Sequence, residues 1–294
     1  MTPKKIKTSR KIILITGCSS GFGLLTAAHL ASKGHKVYAS MRNLNKKAAL
    51  LNEVKKRGGK VEILELDVTN SESIHNAIQH IAETDGYIDV LVNNAGYAIG
   101  GFFEDLSEED IRAQMETNFF GVQNLTREII PLMRVRRSGK IINISSVAGF
   151  SASPAFGAYN SSKWALEAFS ESLRYELKLF GIDVLLIQPG VYKTPIFYEN
   201  RKNGLRFGDP NSPYFEISQT LSKKVNDFVE DCHKDPNDIA FLVEKLIHAK
   251  HPSFRNIPDL ESKVQYALRK ILPFRIYSWI IQRFFMKGIK NNNA

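Results

Sequence analysis

The chain has 294 residues, and 43% of them are hydrophobic, which is enough for one α/β domain with a packed core. Its net charge of +10 resides in the two ends. Residues 1–11 carry five basic side chains and residues 262–294 carry seven, both without an acid, so the body of the chain is nearly neutral and no nucleic-acid-binding patch is expected.

Several function classes are excluded by what the chain lacks. The seven histidines and the two cysteines, Cys18 and Cys232, show no metal-ligand or disulfide spacing, so no metal is expected. No apolar run reaches the ~18 residues of a membrane span. The apolar run Ile12–Ile15, which follows basic residues, is too short and too soon interrupted by glycines to be the core of a signal peptide. We therefore expect a cytoplasmic protein with a basic tail over residues 1–10, a catalytic domain over 11–260 and a basic, apolar extension over 261–294.

The chain opens with a buried strand and a glycine-rich turn. Ile12–Ile15 is a continuous apolar run, as expected of a parallel strand covered on both faces. Gly17, Gly21 and Gly23 follow and open a helix near Leu24, where a diphosphate can approach backbone N–H groups at the positive helix end. An ordinary strand-to-helix loop is the alternative interpretation.

The second strand, Lys36–Met41, indicates which dinucleotide is preferred. A carboxylate after this strand would bind the adenine ribose hydroxyls of NAD, whereas a cation would pair with the 2′-phosphate of NADP. Arg42 occupies this place, which favours NADP(H) over NAD(H). An arginine that is only exposed on the surface remains the alternative.

The remaining strands alternate with helices and end in polar or small residues. Strands are predicted over 61–66, 88–92, 140–144 and Ile182–Ile187, and they lead into Asp67, NNAG at 93–96, Ser146 and PG at 189–190. A capping box of Ser107 and Asp110 begins a long amphipathic helix that contains Asn118, and another helix is predicted over 159–179. This pattern predicts a single-domain Rossmann-type fold, a doubly wound parallel sheet with helices on both faces.

A phenol and an ammonium group are predicted to share one helix face. Tyr159 and Lys163 are four residues apart, so their side chains project together from a helix. Bringing a phenol from a pKa of about 10 to ~7 requires roughly 4 kcal/mol. An ammonium at ~4 Å supplies about that much at an effective dielectric near 20, with desolvation in opposition. The pair alone also occurs by chance in many helices.

The combined motifs resemble those of the short-chain dehydrogenase/reductase family. TGCSSGFG at 16–23, NNAG at 93–96 and a serine thirteen positions before the tyrosine occur in order over residues 11–194. The resemblance implies a catalytic set of Asn118, Ser146, Tyr159 and Lys163, in which Asn118 supports a water of the proton relay. The cofactor-binding residues it implies are Gly17, Ser19, Ser20, Gly21, Phe22, Gly23, Arg42, Asp67, Val68, Asn94, Ala95, Gly96, Tyr159, Lys163, Pro189, Gly190, Val191 and Thr194.

The resemblance also implies an activity, an assembly state and a substrate class. We expect an NADP(H)-dependent oxidoreductase that interconverts a carbonyl and an alcohol, in a homodimer or homotetramer. Its substrate is expected to be bulky and apolar, as in relatives acting on steroids or retinoids, with Ser146, Tyr159, Phe197 and Tyr198 in contact with it. A smaller xenobiotic carbonyl or a ketoacyl thioester, a redox sensor that binds NADP(H) without turnover, and a membrane-surface scaffold are the alternatives.

Two regions after the motifs are less regular. Aromatic residues lie among Pro, Gly and Asn over 195–235, where the family places a variable substrate lid, and they suggest an apolar substrate. The segment 272–288 is apolar and basic, so a wholly solvated helix would leave an exposed hydrophobic patch. We expect it to pack beside the lid and line the substrate pocket, and a place at a membrane interface is the alternative.

Overall fold

The structure, a computed structural model, describes residues 10–198 and 201–287, without the side chain of Phe197. Its main sheet has seven parallel strands in the described residues, in the order β3-β2-β1-β4-β6-β7-β9. These strands are β1 (Ile12–Ile15), β2 (Lys36–Met41), β3 (Glu62–Glu65), β4 (Val90–Asn93), β6 (Gly139–Ile144), β7 (Ile182–Ile187) and β9 (Arg255–Asn256). Two short strands, β5 (Ala98–Gly100) and β8 (Arg201–Asn203), pair separately.

Helices cover both faces of the main sheet. They are α1 (Gly21–Ser32), α2 (Lys47–Lys56), α3 (Ser71–Asp85), α4 (Glu108–Met115), α5 (Gly121–Arg136), α6 (Gly157–Lys178), α7 (Phe215–Glu230), α8 (Asn237–His248), α9 (Leu260–Ile271) and α10 (Phe274–Met286). Side chains of β1 alternate between the two cores, with Ile13 and Ile15 towards α1, α2 and α8, and Ile12 and Leu14 towards α3, α5 and α6. The predicted doubly wound fold is confirmed.

The strand order reverses between β1 and β4, which locates the crevice of the sheet. Chain connections leave this point in opposite directions, so the loops after β1 and β4 diverge and open a cleft at their carboxyl ends. The predicted bounds of β1, β2 and β7 agree with the structure, and those of β3 and β4 differ by one or two residues.

The long helix predicted after Ser107 is interrupted by a π-helical turn. The capping box is present, because Ser107 Oγ accepts from the Asp110 N–H at 3.0 Å and Asp110 Oδ2 accepts from the Ser107 N–H at 3.2 Å. Residues Glu116–Phe120 then form a π-helix between α4 and α5. Such turns are frequent at functional sites, and this one contains the buried Asn118.

The segment predicted as an irregular lid contains regular structure. Strand β8 pairs with β5 and thereby ties the segment to the body, and α7 supplies sixteen helical residues. The single-sequence pattern indicated neither, because prolines, glycines and asparagines cluster before α7. The carboxyl-terminal residues form α9 and α10, and the buried Tyr277 fixes α10 to the body through a 2.5 Å hydrogen bond between its hydroxyl and Ser151 Oγ.

Candidate active site

Three residues converge where β6 ends and α6 begins. Ser146 follows β6 by two residues, and its hydroxyl accepts from the Ala148 N–H at 3.1 Å in a short 3₁₀ turn. Because α6 begins at Gly157, Tyr159 and Lys163 lie one turn apart on its first two turns, with Lys163 Nζ 5.8 Å from the centre of the phenol ring. The Ser146 hydroxyl lies beside the phenol and lowers its pKa. The predicted serine, tyrosine and lysine are thus brought together.

The electrostatics of this set differ from the sequence-based expectation. Burial raises the pKa of Tyr159, and the Ser146 hydroxyl offsets only part of this effect. Lys163 is itself buried, donates to the carbonyl oxygen of Ile144 at 2.9 Å, and has its pKa lowered by burial to about 8. In this structure burial thus raises the pKa of the phenol and does not bring it towards 7, and the effect of Lys163 on the phenol remains a prediction.

Glu167 lies one turn beyond Lys163 and was not among the predicted site residues. It is buried, accepts from Gln188 Nε2 at 3.0 Å and lies 3.4 Å from Arg255 Nε. Its charge raises the pKa of Lys163 against the dominant effect of burial. The spacing of four residues after Lys163 was a visible signal, but only the fold shows that this carboxylate faces inwards.

Asn118 occupies a structural position behind the cavity. Its Oδ1 accepts from the Tyr97 N–H at 3.2 Å, and its Nδ2 donates to the Tyr97 carbonyl at 3.0 Å and to Ser162 Oγ at 3.1 Å. A Cβ on Gly96 would lie 3.1 Å from Asn118 Oδ1, which explains a glycine there. The side chain thus connects the loop after β4 to α6, and the water-holding role remains a prediction.

The loops after β1 and β4 are joined by Thr16 and Asn94. Thr16 Oγ1 accepts from the backbone N–H groups of Asn94 and Ala95 at 3.0 and 2.9 Å, and Asn94 Nδ2 donates to the Thr16 carbonyl at 2.8 Å. A Cβ on Gly23 would overlap Asn94 Nδ2, so Gly23 lets α1 approach this loop. Gly23 is buried behind the cavity and does not line it, and its assignment as a cofactor contact remains a prediction.

One cavity of about 800 Å³ connects the glycine-rich turn, the predicted catalytic residues Ser146, Tyr159 and Lys163, and the lid. Apart from Gly23, every residue predicted to bind the cofactor lines it. Ser146 also lines it, and Asn118 does not. The motifs at the ends of the strands therefore predict most of the cavity wall that the sheet contributes.

The wall nearest α1 fits a dinucleotide diphosphate. Gly21 has a φ of +56°, and a Cβ there would meet only Pro195 and Thr194, at 3.9 and 4.0 Å, so a side chain would fill the open cradle between them. The first turn of α1 carries no acidic residue, so no carboxylate competes for its positive end. The residues present thus fit a nicotinamide dinucleotide.

Two cations line the cavity beyond β2. Arg42 and Lys46 are both exposed side chains of its wall, and neither forms an ion pair within residues 10–198 and 201–287. Met41 also lines the cavity but is only 2% exposed and packs in the core. Lys46 was not predicted, because it follows in a 3₁₀ turn whose path the sequence pattern does not indicate.

The opposite end of the cavity is built by the lid and the last helix. The apolar side chains there are Ile196, Leu221, Val225, Phe228, Phe284 and Phe285. Tyr198 is not among them, since its hydroxyl donates to Glu230 at 2.7 Å, and its assignment as a substrate contact remains a prediction. The side chain of Phe197, the other predicted contact, lies outside the described residues.

A buried aspartate supports the loop after β7. Asp259 caps α9 through the Ser262 N–H at 2.9 Å, and it also accepts from the Gly190 N–H at 3.2 Å and from Lys234 Nζ at 3.0 Å. Gly190 lines the cavity and packs so closely that a Cβ would overlap Ser262 Oγ. The contact joins residues 69 positions apart, so sequence reasoning did not identify it.

Comparison with known proteins gives a family and relatives along most of the chain. A family model described as short chain dehydrogenase matches residues 11–204. The chain is 40% identical to a 3-ketodihydrosphingosine reductase of Bacteroides thetaiotaomicron, with 94% of this chain and 98% of that protein covered. It is 33% identical to human retinol dehydrogenase 16, with 90% and 85% covered.

Solved structures show the same fold with nicotinamide cofactors. A short chain dehydrogenase/reductase from Burkholderia phymatum in complex with NAD has a TM-score of 0.76 at 25% identity, covering 89% of this chain and 95% of that one. A metagenomic short-chain oxidoreductase in complex with NADP has a TM-score of 0.67 at 27% identity, covering 86% and 100%.

Proposed function

The chain belongs to the short-chain dehydrogenase family, and from this premise we propose that it is an NADP(H)-dependent oxidoreductase that interconverts a carbonyl and an alcohol on a bulky apolar substrate. That it is an oxidoreductase of this family, using a nicotinamide cofactor, follows from the family match and the relatives. The finer proposal rests on one observation. A single cavity places Ser146, Tyr159 and Lys163 between a diphosphate cradle and an apolar wall.

The side chains of this set divide the proton chemistry between them. The cofactor, when bound, supplies or accepts the hydride. Tyr159 donates a proton to the carbonyl oxygen during reduction and removes it during oxidation, and Ser146 donates a hydrogen bond to the same oxygen. Lys163, with a pKa of about 8, is mostly charged at neutral pH, and it stabilises negative charge that forms on the phenol.

Burial raises the pKa of Tyr159 and keeps the phenol neutral, which is the state that a general acid needs before it transfers its proton. In the oxidative direction the phenol first has to lose this proton, and Lys163 lies next to the phenol to stabilise the phenolate.

A long apolar substrate fits the far end of the cavity. Leu221, Val225 and Phe228 of α7 line this end together with Phe284 and Phe285 of α10, and Phe228 contacts Phe284 edge to face. The names of the two relatives refer to a ketodihydrosphingosine and to retinol, which are both lipophilic. We propose a lipid ketone or aldehyde as the substrate class, and NADP(H) as the cofactor because Arg42 and Lys46 line the adenosine end.

We further propose a cytoplasmic homodimer or homotetramer. Large apolar side chains remain exposed on α5 and α6, among them Val135 at 86% and Tyr175 at 67%. These helices lie beside each other over the same core, so a partner copy would cover both.

The test of the catalytic assignment is Tyr159→Phe. We expect NADPH binding and the melting temperature to be unchanged, and kcat for a long-chain ketone or retinal to fall by about 10²- to 10⁴-fold, because the proton donor is lost. Tyr175→Phe on the same helix is the matched control, since Tyr175 is exposed and outside the cavity. Near-normal turnover in Tyr159→Phe, with the control unaffected, would rule out the mechanism.

A further inference from the structure

Helix α9 carries its apolar side chains on the face that points away from the protein. Leu260, Val264, Leu268 and Ile271 recur every three or four residues and form one stripe, and they are 75%, 50%, 38% and 78% exposed. The inward face is mixed: the Ser262 hydroxyl donates to Asp259, Gln265 Nε2 donates to Ser151 Oγ at 3.1 Å, and the Tyr266 ring packs edge to face on Phe150. This orientation is the reverse of that of a helix that covers a core.

Helix α10 continues the exposed apolar surface. Tyr277 is its buried anchor, whereas Ile276 and Trp279 are 48% and 59% exposed. Arg269 of α9 lies over the rings of Phe274 and Tyr277 at 5.3 and 5.4 Å, which holds the two consecutive helices together at their junction. We call the stripe of α9 with Ile276 and Trp279 the α9–α10 outer face.

Basic residues predominate around the α9–α10 outer face, and its one acidic neighbour on α9, Glu261, is paired with Lys234. Residues 263–287 contain six basic residues and no acidic residue. Lys263 and Lys270 border one edge of the α9 stripe by helical position, and Arg283 lies over the Trp279 ring at 5.6 Å. Apolar side chains with flanking lysines and an interfacial tryptophan are the composition of a helix that lies in the headgroup region of a bilayer.

We propose that the α9–α10 outer face docks on an anionic membrane surface. No helix in the described residues has the length and apolar character needed to span a bilayer, so the pair lies along the surface. A second copy of the chain fits less well, because a two-fold contact would set six cations against six. A lipid surface fits better than an acidic protein, because Phe284 and Phe285 at the end of α10 also line the cavity that would receive a lipid.

The docking has one functional consequence. It would hold the apolar end of the cavity at the bilayer, so that a lipid substrate reaches the active site without crossing water. Vesicle binding can be measured whatever the activity of the enzyme is. The preference for a lipid surface over an acidic protein, and the delivery of substrate from the bilayer, rest on the proposed function. Binding is therefore measured without substrate, and turnover of a water-soluble aldehyde is measured separately.

The test is flotation of the full chain with two kinds of vesicle, pure phosphatidylcholine and phosphatidylcholine mixed with phosphatidylglycerol. We expect binding to the anionic vesicles only, and loss of that binding in Leu268→Glu/Ile271→Glu. Leu51→Glu is the matched control, because it adds a carboxylate at a leucine that is 42% exposed on α2, away from the proposed subunit contact and from the cavity. Turnover of the soluble aldehyde should be equal in all three proteins.

Two further measurements make the proposal specific. Trp164→Phe leaves Trp279 as the single tryptophan, and its emission should shift to the blue with anionic vesicles. Arg275→Gln and Arg283→Gln should each weaken binding by about fivefold at low salt. The proposal is overturned if the wild type ignores anionic vesicles, if it binds both kinds equally, or if the glutamate variant still binds. It is also overturned if Leu268→Glu/Ile271→Glu dissociates an oligomer while the wild type shows no binding to vesicles.

Discussion

Two single residues, Arg42 and Lys46, are the proposed recognition elements for a 2′-phosphate. Both line the cavity just after β2, and neither is paired with a carboxylate among the residues that the structure describes. A phosphate would give each of them a charge-assisted hydrogen bond, which is worth about 1.5 to 3 kcal/mol. Met41 is buried and also lines the cavity, so Met41→Asp would remove a core side chain as well as add a carboxylate at the site, and it would not report on the two cations alone.

The cofactor prediction therefore uses the exposed cations. Arg42→Ala and Lys46→Ala should each raise the Kd for NADPH by roughly 10- to 100-fold and leave the Kd for NADH unchanged, because NADH lacks the 2′-phosphate. Lys47→Ala, an exposed neighbour outside the cavity, is the control. Titration calorimetry measures both constants. Wild-type protein that binds NADH as tightly as NADPH would contradict the assignment.

At the scale of elements, α9 and the loop after β7 are coupled through Asp259. Burial alone would raise the pKa of this carboxyl, but hydrogen bonds from Ser262 and the charge of Lys234 lower it below its usual value of 3.8. Its stabilising contribution is therefore complete above pH 3.8 and is lost as the pH falls below that value. The helix cap and the Gly190 loop thus share one ionised group.

Asp259→Ala should reduce the free energy of unfolding by about 2 kcal/mol, because it removes a helix cap and leaves the Gly190 N–H without its acceptor. It should also weaken NADPH binding, since Gly190 lines the cavity. Asp259→Asn retains the cap and should lose less stability. Urea unfolding at pH 7 and pH 3 measures the effects, with a smaller difference at pH 3, and equal stability of the wild type and the alanine variant at pH 7 would show that the coupling is absent.

At the scale of the whole molecule, the last helix completes the cavity. Tyr277 anchors α10 to Ser151, and Lys224 of α7 donates to the Phe285 carbonyl at 3.4 Å, so the lid and the carboxyl-terminal segment form one wall. Phe228 and Phe284 meet edge to face, with ring centres 5.9 Å apart. Substrate enclosure therefore depends on residues separated by more than fifty positions.

Truncation after Leu272 removes this wall and leaves the dinucleotide site intact. We expect the free energy of unfolding to fall by about 2 to 3 kcal/mol from the lost burial of Tyr277. The KM for long apolar ketones should rise, while the Kd for NADPH and turnover of a small aldehyde change little. Tyr277→Phe, which removes only the hydroxyl, is the milder control. An unchanged melting temperature and unchanged KM in the truncated protein would contradict this role of α10.

The sequence by itself determined the sheet and most of its cofactor-facing loops. Buried parallel strands are continuous apolar runs, and the residues at their carboxyl ends, such as Gly17, Asp67 and Ser146, share one sheet edge whatever the details of packing. The helical spacing of Tyr159 and Lys163 likewise follows from local geometry. These features depend on short-range patterns, which a single chain displays directly.

Only the tertiary structure decided what depends on distant contacts. The pKa of Tyr159 follows from burial by several elements, and the roles of Asp259, Lys46 and Glu167 follow from where remote segments meet. The presence of helix α7 in the lid and the outward direction of the apolar face of α9 were likewise decided by the tertiary structure. Amphipathic spacing predicts that a helix has an apolar face, but the direction of that face is set by the rest of the fold.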